Sequence, residues 1–253
     1  MGVKLVVTDL DGTLLKSDKT ISDRTREALA GLREKGIPFV IATARPIRAV
    51  DEWLSFLSFD AAIYHNGAVV RDFAGRLHNV GIARPADVLR PLLAEDPGAQ
   101  VSVEANDTHY ANFPADEIWP SMKFVRTADF HEVEGPADKL ILRAGTPEEL
   151  RRFERFIPAD CYAQISEGVI AMVMRREATK LNGVRLLCKE LGISPADVAA
   201  FGDDLNDVEL LAHCGYGVAV ENALDDVKAA ARQICPTNDE DGPARWLEAE
   251  VLG

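Results

Sequence analysis

Acidic side chains cluster near the start of this chain, where their spacing could support chemistry. Asp9 and Asp11 are two residues apart in the segment VVTDLDGT, directly after a short apolar run. An ionised carboxylate at the end of a buried strand is costly unless it is paired or binds a metal. Two carboxylates there suit Mg²⁺, which prefers oxygen ligands, and one of the pair could attack phosphorus as a nucleophile. An Asp-Gly turn that only closes a loop is the alternative for this segment viewed alone.

A second acidic cluster lies in the last quarter of the chain, in the segment AFGDDLNDVELL. It contains Asp203, Asp204, Asn206 and Asp207, directly after another apolar run. Carboxylates this close together repel one another, and a divalent cation would relieve the repulsion. An acidic helix cap is the weaker alternative, because a cap needs only one aspartate. The segment therefore predicts part of a metal site.

Two single residues have the chemistry to hold a phosphate group. Thr43 ends the apolar segment FVIAT, and its hydroxyl together with the N–H groups of the following helix could bind a phosphate oxygen. Viewed alone, a threonine at this position is more often a helix cap. Lys180 stands in the first turn of the predicted helix TKLNGVRLL, where a cation is unfavourable unless it points at an anion. A solvated surface lysine is the alternative for that position.

The surrounding pattern indicates how these residues could meet. Short buried strands at 4–8, 37–43 and 61–64 alternate with helices, and the alternation returns from residue 179 with a helix at 180–191 and a strand at 198–202. This pattern predicts an α/β fold with a doubly wound, Rossmann-like parallel-sheet core. Polar residues at the carboxyl ends of such strands share one edge of the sheet, where ligands bind. We therefore expect the four segments to converge.

The middle of the chain has a different pattern of predicted secondary structure. Between the two wound parts, short strands are grouped with few helices, which is typical of an α+β module with an antiparallel sheet. We therefore predict a core domain formed by residues 1–82 and 179–253, interrupted by an inserted α+β domain of residues 83–178.

The four segments together resemble the haloacid dehalogenase superfamily. VVTDLDGTLL is similar to its first signature, Thr43 to its second, Lys180 to its third and GDDLNDVELL to its fourth, in the same order along the chain. The Cof-like type IIB branch of this superfamily is resembled in three respects. These are the insertion at 83–178 and two segments outside it, IYHNGA at 63–68 and TNDEDGPA at 237–244. Two departures are Ala44, where many relatives have glycine, and ATKLNGV, in which glycine does not directly follow the lysine. Neither departure removes a catalytic group.

The resemblance implies a magnesium-dependent phosphatase that acts on small phosphorylated metabolites such as sugar phosphates. It implies that Asp9 forms an aspartyl-phosphate, that Asp11 is the general acid and base, and that Thr43 and Lys180 hold the phosphoryl oxygens. The implied Mg²⁺ ligands are Asp9, the backbone carbonyl of Asp11 and Asp203, with Asp207 as a ligand or a support. Asn66, Gly67 and Asn206 are implied to line the same pocket, and Arg45 is a candidate for substrate binding because it lies just beyond Thr43 on the same edge. The inserted domain is implied to be a cap that selects the leaving group.

Composition narrows the functional classes further. The chain has 253 residues, and its 41 acidic against 28 basic residues give a formal charge of −13, which argues against nucleic-acid binding. An apolar run of about 18 residues is absent from the sequence, so we expect no membrane span. The four cysteines form no CxxC pair, which leaves zinc and disulfides poorly supported. We expect a cytoplasmic monomer or small homo-oligomer.

Two alternatives to a hydrolase follow from the same residues. A phosphomutase of the phosphomannomutase type would keep the nucleophile, but it must hold a bisphosphate with additional cations, and the insertion has no dense Arg/Lys cluster. A non-enzymatic phospho-acceptor domain would also combine acids, threonine and lysine. That domain would have about half this length, and it gives no role to the second acidic cluster.

Overall fold

The structure is a computed structural model that describes residues 2–120, 122–166 and 168–253. The chain divides into two compact units. The first comprises the chain up to Arg45, together with Ala49–His78 and Thr179–Gly253. The second comprises Pro46–Arg48 and Asn79–Ala178.

The strands of the described residues are short. In chain order they are β1 (Leu5–Thr8), β2 (Phe39–Ala42), β3 (Ala61–Tyr64), β4 (Val69–Arg71), β5 (Leu77–Asn79), β6 (Val101–Ala105), β7 (Thr108–Ala111), β8 (Val125–Arg126), β9 (Lys139–Leu142), β10 (Cys161–Ser166), β11 (Ile170–Arg175), β12 (Val198–Gly202), β13 (Tyr216–Val220) and β14 (Gln233–Cys235). The α-helices are α1 (Asp23–Glu34), α2 (Ile47–Trp53), α3 (Ala86–Glu95), α4 (Pro147–Arg151), α5 (Lys180–Leu191), α6 (Val208–His213), α7 (Asp225–Ala230) and α8 (Gly242–Leu247).

The first unit is built on a sheet with the order β14-β13-β12-β1-β2-β3-β4-β5. The strands from β14 to β3 are parallel, and β4 pairs with β3 in the antiparallel direction. The central strand β1 places Val6 opposite Ala199 of β12 on one side and Phe39 of β2 on the other. All four residues of β1 are buried, as the continuous apolar run predicts for a strand covered on both faces. The predicted doubly wound α/β core is confirmed.

Side-chain caps fix where two of the core helices begin. The Ser22 hydroxyl accepts a hydrogen bond from the Thr25 backbone N–H at the start of α1. The Thr179 hydroxyl accepts one from the Asn182 N–H at the start of α5. Each cap satisfies a backbone donor that has no partner inside the helix. The cap on α5 makes Lys180 the first helical residue.

The second unit contains a six-stranded sheet with the order β10-β11-β9-β6-β7-β8. Its neighbouring strands are antiparallel except for the short pair of β7 and β8. Alternate residues of β6 and β9, among them Val101, Val103 and Leu140, share an apolar cluster with Leu89 and Leu92 of α3. The period-two alternation thus gives this sheet one apolar face. The predicted antiparallel α+β module is confirmed.

Several predicted boundaries differ from the observed ones. The sequence pattern that begins with Pro46 predicts a helix over 46–57, but α2 ends at Trp53. The pattern that begins with Pro147 predicts a helix over 147–156, which the structure splits into α4 and a 3₁₀ turn at Glu154–Phe156. The strands β4, β5, β7, β8 and β14 were not predicted. They are only two to four residues long, and β5 and β8 are largely exposed, so neither carries a burial pattern that periodicity could reveal.

Two further observations concern the whole described chain. Cys161, Cys188, Cys214 and Cys235 are all buried and free. Within residues 2–120, 122–166 and 168–253, no helix is both long and apolar enough to span a bilayer.

Candidate active site

A buried lysine joins two of the predicted site residues. Asp9 follows β1, and its backbone N–H donates to the Phe201 carbonyl of the neighbouring strand β12. The Lys180 ammonium donates to Asp9 Oδ1 at 2.6 Å and to Asp207 Oδ1 at 2.7 Å. Lys180 is only 1% exposed, so the alternative of a solvated surface lysine is wrong. Burial alone would lower the pKa of Lys180, but Asp207 and Asp9 outweigh this effect and raise it, which keeps the side chain charged.

The loop after β12 is folded around Asp207. The second carboxylate oxygen of Asp207 accepts hydrogen bonds from the backbone N–H groups of Asp203 and Asp204, at 3.1 and 3.3 Å. A Cβ atom at Gly202 would lie 2.4 Å from Asp207 Cβ, so only glycine fits there. Both oxygens of Asp207 are therefore engaged by protein donors. Asp203 in turn accepts a hydrogen bond from the Thr13 hydroxyl.

The carboxylates of Asp9, Asp203 and Asp207 form one cluster. Each offers an oxygen, and these oxygens lie within 4.8 Å of one another. Burial raises the pKa of Asp9 to about 8, against the opposing effect of Lys180, and burial raises the pKa of Asp203 to about 6. One ammonium does not balance three carboxylates, and hard oxygen donors are the ligands that Mg²⁺ prefers. These residues therefore fit a divalent cation.

The Asp11 side chain lies outside this cluster. Arg45 donates to both Asp11 carboxylate oxygens at 2.7 Å, through Nε and Nη2, and Lys19 donates to Oδ1 at 2.8 Å. Burial would raise the pKa of Asp11, but the hydrogen bonds from Arg45 and Lys19 outweigh it and lower the pKa below its usual value. Arg45, a predicted substrate-binding residue, is thus bound to a predicted catalytic residue in this structure.

Thr43 lies in the loop after β2, the strand next to β1. Its side chain is buried, and its hydroxyl accepts a hydrogen bond from the Arg45 backbone N–H at 3.1 Å. Its own N–H donates to the Ile63 carbonyl. The hydroxyl thus closes a local turn, and α2 begins only at Ile47, so the described hydrogen bonds do not make Thr43 a helix cap. Its proposed contact with phosphate stays a prediction.

The three other predicted substrate-binding residues also lie in the first unit. The Asn206 side-chain amide donates to Asn66 Oδ1 at 3.0 Å. Gly67 has a φ of +108° and packs against the backbone of Thr179. Their predicted contact with substrate stays a prediction, and the structure shows Asn66 bound to the loop that carries Asp207 and Gly67 packed against the start of α5.

Three residues of the site were missed from the sequence. Thr13 binds Asp203, Lys19 binds Asp11, and the Asn222 side chain donates to the Gly12 carbonyl at 2.8 Å. Thr13 could have been found, because it directly follows the first acidic segment. Lys19 and Asn222 had no signal, since each reaches the site from an irregular segment.

Replacing Gly12 with alanine tests how closely the segment that contains Asp9 and Asp11 must approach Asp203. Gly12 has a φ of +83°, and a Cβ atom there would lie 2.4 Å from Asp203 Oδ2. We expect Gly12→Ala to displace this carboxylate and to raise the Mg²⁺ concentration for half-maximal turnover at least about tenfold. Titration of phosphatase activity with Mg²⁺ measures this value.

Gly75→Ala is the matched control. Gly75 has a φ of +79°, but a Cβ atom there would meet nothing within 4 Å. Both variants should lose about 1–2 kcal/mol of unfolding free energy from the left-handed backbone. Only Gly12→Ala should change the Mg²⁺ titration, and an equal change in both variants would contradict the steric explanation.

Comparison with known proteins identifies the family. A family model described as haloacid dehalogenase-like hydrolase matches residues 6–247. A 5-amino-6-(5-phospho-D-ribitylamino)uracil phosphatase, YcsE of Bacillus subtilis, is 30% identical over 260 residues, which cover 99% of this chain and 96% of the relative. A second Bacillus subtilis phosphatase named for the same activity, YitU, is 28% identical over 263 residues, which cover 96% of each chain.

Solved structures agree with this assignment. A haloacid dehalogenase-like hydrolase from Bacteroides thetaiotaomicron superposes with a TM-score of 0.82 at 27% identity, over 98% of this chain and 99% of that one. The chain therefore belongs to the haloacid dehalogenase-like hydrolase family and is an enzyme, a hydrolase whose curated relatives named above are phosphatases.

Proposed function

We propose that this enzyme is a Mg²⁺-dependent phosphatase that hydrolyses small phosphorylated metabolites, with Asp9 as a covalent nucleophile. The observation that carries the proposal is the position of the Lys180 ammonium. It lies 2.6 Å from Asp9 and 2.7 Å from Asp207, beside Asp203, at one edge of the parallel sheet. A buried cation beside a carboxylate can offset the charge that accumulates when a phosphoryl group is transferred.

The proposed reaction has two steps. In the first, a carboxylate oxygen of Asp9 bonds to phosphorus, the bond from phosphorus to the ester oxygen breaks, and Asp11, in a protonated form released from Arg45 and Lys19, gives its proton to that leaving oxygen. In the second, Asp11 takes a proton from a water molecule whose oxygen attacks phosphorus. The bond between phosphorus and Asp9 then breaks, which releases inorganic phosphate and restores the carboxylate. The Arg45 guanidinium keeps the ionised Asp11 side chain in place between these events.

Asp9, Asp203 and the backbone carbonyl of Asp11 would hold Mg²⁺, whose charge would offset that of the transferred phosphoryl group. Asp207 is better suited to support than to direct ligation, because its two oxygens already accept bonds from Lys180 and from two backbone N–H groups. Thr43 and Lys180 would bind the phosphoryl oxygens.

The relatives support a hydroxylated leaving group. YcsE and YitU are phosphatases of a compound that carries a phosphoribityl group, which is a polyol phosphate. We therefore propose sugar phosphates and related polyol phosphates as substrates.

Metal removal tests the proposal. Enzyme treated with a chelator and dialysed should hydrolyse p-nitrophenyl phosphate at least about 100-fold more slowly than enzyme in millimolar Mg²⁺, since three carboxylates then stand against one ammonium. Addition of Mg²⁺ should restore the rate. Full activity in the metal-free enzyme would contradict the proposal.

A substrate panel and a product analysis separate the hydrolase from the phosphomutase. With mannose 6-phosphate, a hydrolase releases free phosphate, whereas a mutase yields an isomerised sugar phosphate. We expect phosphate release alone. Values of kcat/KM across phosphorylated sugars, nucleotides and pyridoxal phosphate would then rank the substrates.

A further inference from the structure

The turn that follows β3 has an unusual backbone. His65, Asn66 and Gly67 have consecutive positive φ values of 48°, 57° and 108°. Left-handed backbone is unfavourable for residues other than glycine, although asparagine tolerates it better than most. Such a conformation persists only where the surrounding structure determines it. The contacts of this turn therefore indicate its structural role.

The backbone of the turn is bound to the loop that carries Thr43. The Asn66 N–H donates to the Thr43 carbonyl at 3.0 Å, and the His65 N–H donates to the Arg45 carbonyl at 3.2 Å. Both bonds run from the turn to the segment that follows β2. The turn thus fixes the loop that presents the Thr43 hydroxyl and the Arg45 side chain.

The Asn66 side chain reaches a second loop. Its Oδ1 accepts a hydrogen bond from Asn206 Nδ2 at 3.0 Å, across 140 residues of sequence. Asn206 stands directly before Asp207, whose carboxylate holds Lys180 and the N–H groups of Asp203 and Asp204. One side-chain bond therefore links the Thr43 loop to the loop that carries two of the acids.

Gly67 brings the same turn against the start of α5. A Cβ atom at Gly67 would lie 2.2 Å from the Thr179 carbonyl oxygen and 2.8 Å from its nitrogen. Thr179 caps the helix whose first residue is Lys180. The turn thus contacts the three segments that present Thr43, Lys180 and Asp207.

We infer that Asn66 is a positioning residue for phosphoryl transfer, which acts through Asn206 and the backbone of the Thr43 loop and does not contact the substrate. Its amide sets the spacing between the loop that would bind the phosphoryl oxygens and the loop that carries Asp203 and Asp207. The kinetic part of this inference rests on the proposed function, whereas its structural part does not.

The first test replaces Asn66 with glycine. Glycine keeps the left-handed backbone without strain and removes only the side-chain amide. We expect Asn66→Gly to lower kcat by about 10- to 100-fold with less than a threefold change in KM, because misplaced groups act on the transition state. Asn106→Gly is the matched control, since Asn106 also has a positive φ, of 49°, and its amide donates to the Glu134 carbonyl. We expect that control to match wild type.

The kcat of Asn66→Gly with two different leaving groups shows whether Asn66 positions the catalytic loops or contacts the substrate. A positioning residue acts on the phosphoryl group, which all substrates share, so Asn66→Gly should lower kcat with p-nitrophenyl phosphate and with glucose 6-phosphate by the same factor. A residue that contacts the sugar would lower kcat/KM with glucose 6-phosphate alone. That outcome would overturn the inference.

A double-mutant cycle tests the path through Asn206. If the two amides act through one hydrogen bond, Asn66→Gly combined with Asn206→Ala should be no slower than the slower single variant. Independent, multiplying losses would show that Asn66 does not act through Asn206, and would overturn the inference.

Hydrogen exchange provides a readout that needs no activity. In the full-length enzyme without substrate, Asn66→Gly should speed amide exchange at 203–207 at least about tenfold, while Asn106→Gly leaves these amides unchanged. Unchanged exchange at 203–207 in Asn66→Gly would overturn the inference. If wild-type enzyme hydrolyses no phosphate ester, the proposed function fails, and the exchange experiment still decides whether Asn66 positions the loop.

Discussion

Asp9→Asn is expected to abolish turnover of p-nitrophenyl phosphate, with kcat lower by about 10⁴-fold or more. An amide has nearly the shape of a carboxylate but is a far weaker nucleophile, so the covalent step cannot proceed. The fold should be retained, because an asparagine oxygen can still accept the hydrogen bond that Lys180 donates to Asp9. Steady-state phosphate release and the far-ultraviolet circular dichroism spectrum measure these two expectations.

Asp23→Asn is the control for the change of charge. The Asp23 side chain is 98% exposed in the first turn of α1, and its loss should leave kcat unchanged. Wild-type enzyme quenched in acid during turnover should carry phosphate on Asp9 by mass spectrometry, and Asp9→Asn should carry none. An Asp9→Asn enzyme within tenfold of wild type would contradict covalent catalysis at this residue.

Lys180→Met is expected to have the second largest effect, on both stability and rate. The methionine has a similar volume but leaves Asp9 and Asp207 without the ammonium that lies between them. Removing one partner of a buried ion pair typically costs about 3–5 kcal/mol of unfolding free energy. Loss of the charge that offsets phosphoryl transfer should also lower kcat by about 10³-fold. Urea unfolding and phosphatase assays measure the two effects.

Lys189→Met is the control for a general effect of replacing lysine with methionine in α5. Lys189 is exposed in the last turn of the same helix, where a cation contributes only a few tenths of a kcal/mol. We expect its variant to lie within about 0.5 kcal/mol of wild type and to keep full activity. If Lys180→Met lost less than 1 kcal/mol and less than tenfold in rate, the lysine would not be part of the catalytic site.

Periodicity predicted the strands and helices that are longest or most buried. The four buried residues of β1 and the twelve residues of α5 follow from continuous apolar runs and from cap residues, which are local properties of the sequence. Short exposed strands such as β5 and β8 are not predicted by periodicity. Their extended conformation depends on pairing with a neighbouring strand and not on local sequence.

The acids of the site were predictable because an ionised carboxylate beside a buried strand is costly unless it is paired or binds a metal. The residues that form hydrogen bonds around these acids were less predictable. The bond between Lys19 and Asp11 depends on an irregular loop, and the one between Asn66 and Asn206 depends on a left-handed turn. Neither conformation has a periodic signature, so the sequence alone does not predict these two contacts. Arg45 was predicted to bind substrate from its place beside Thr43, and the structure added that it holds Asp11.

The place of β1 between β2 and β12 has a consequence during protein synthesis. Leu5 pairs with Val198, so one side of the central strand has no partner until almost four fifths of the chain has left the ribosome. An unpaired edge of this apolar composition is prone to join another chain. We therefore expect nascent chains that stop before β12 to depend on chaperones, whereas emergence of β12 lets the sheet close around its own first strand.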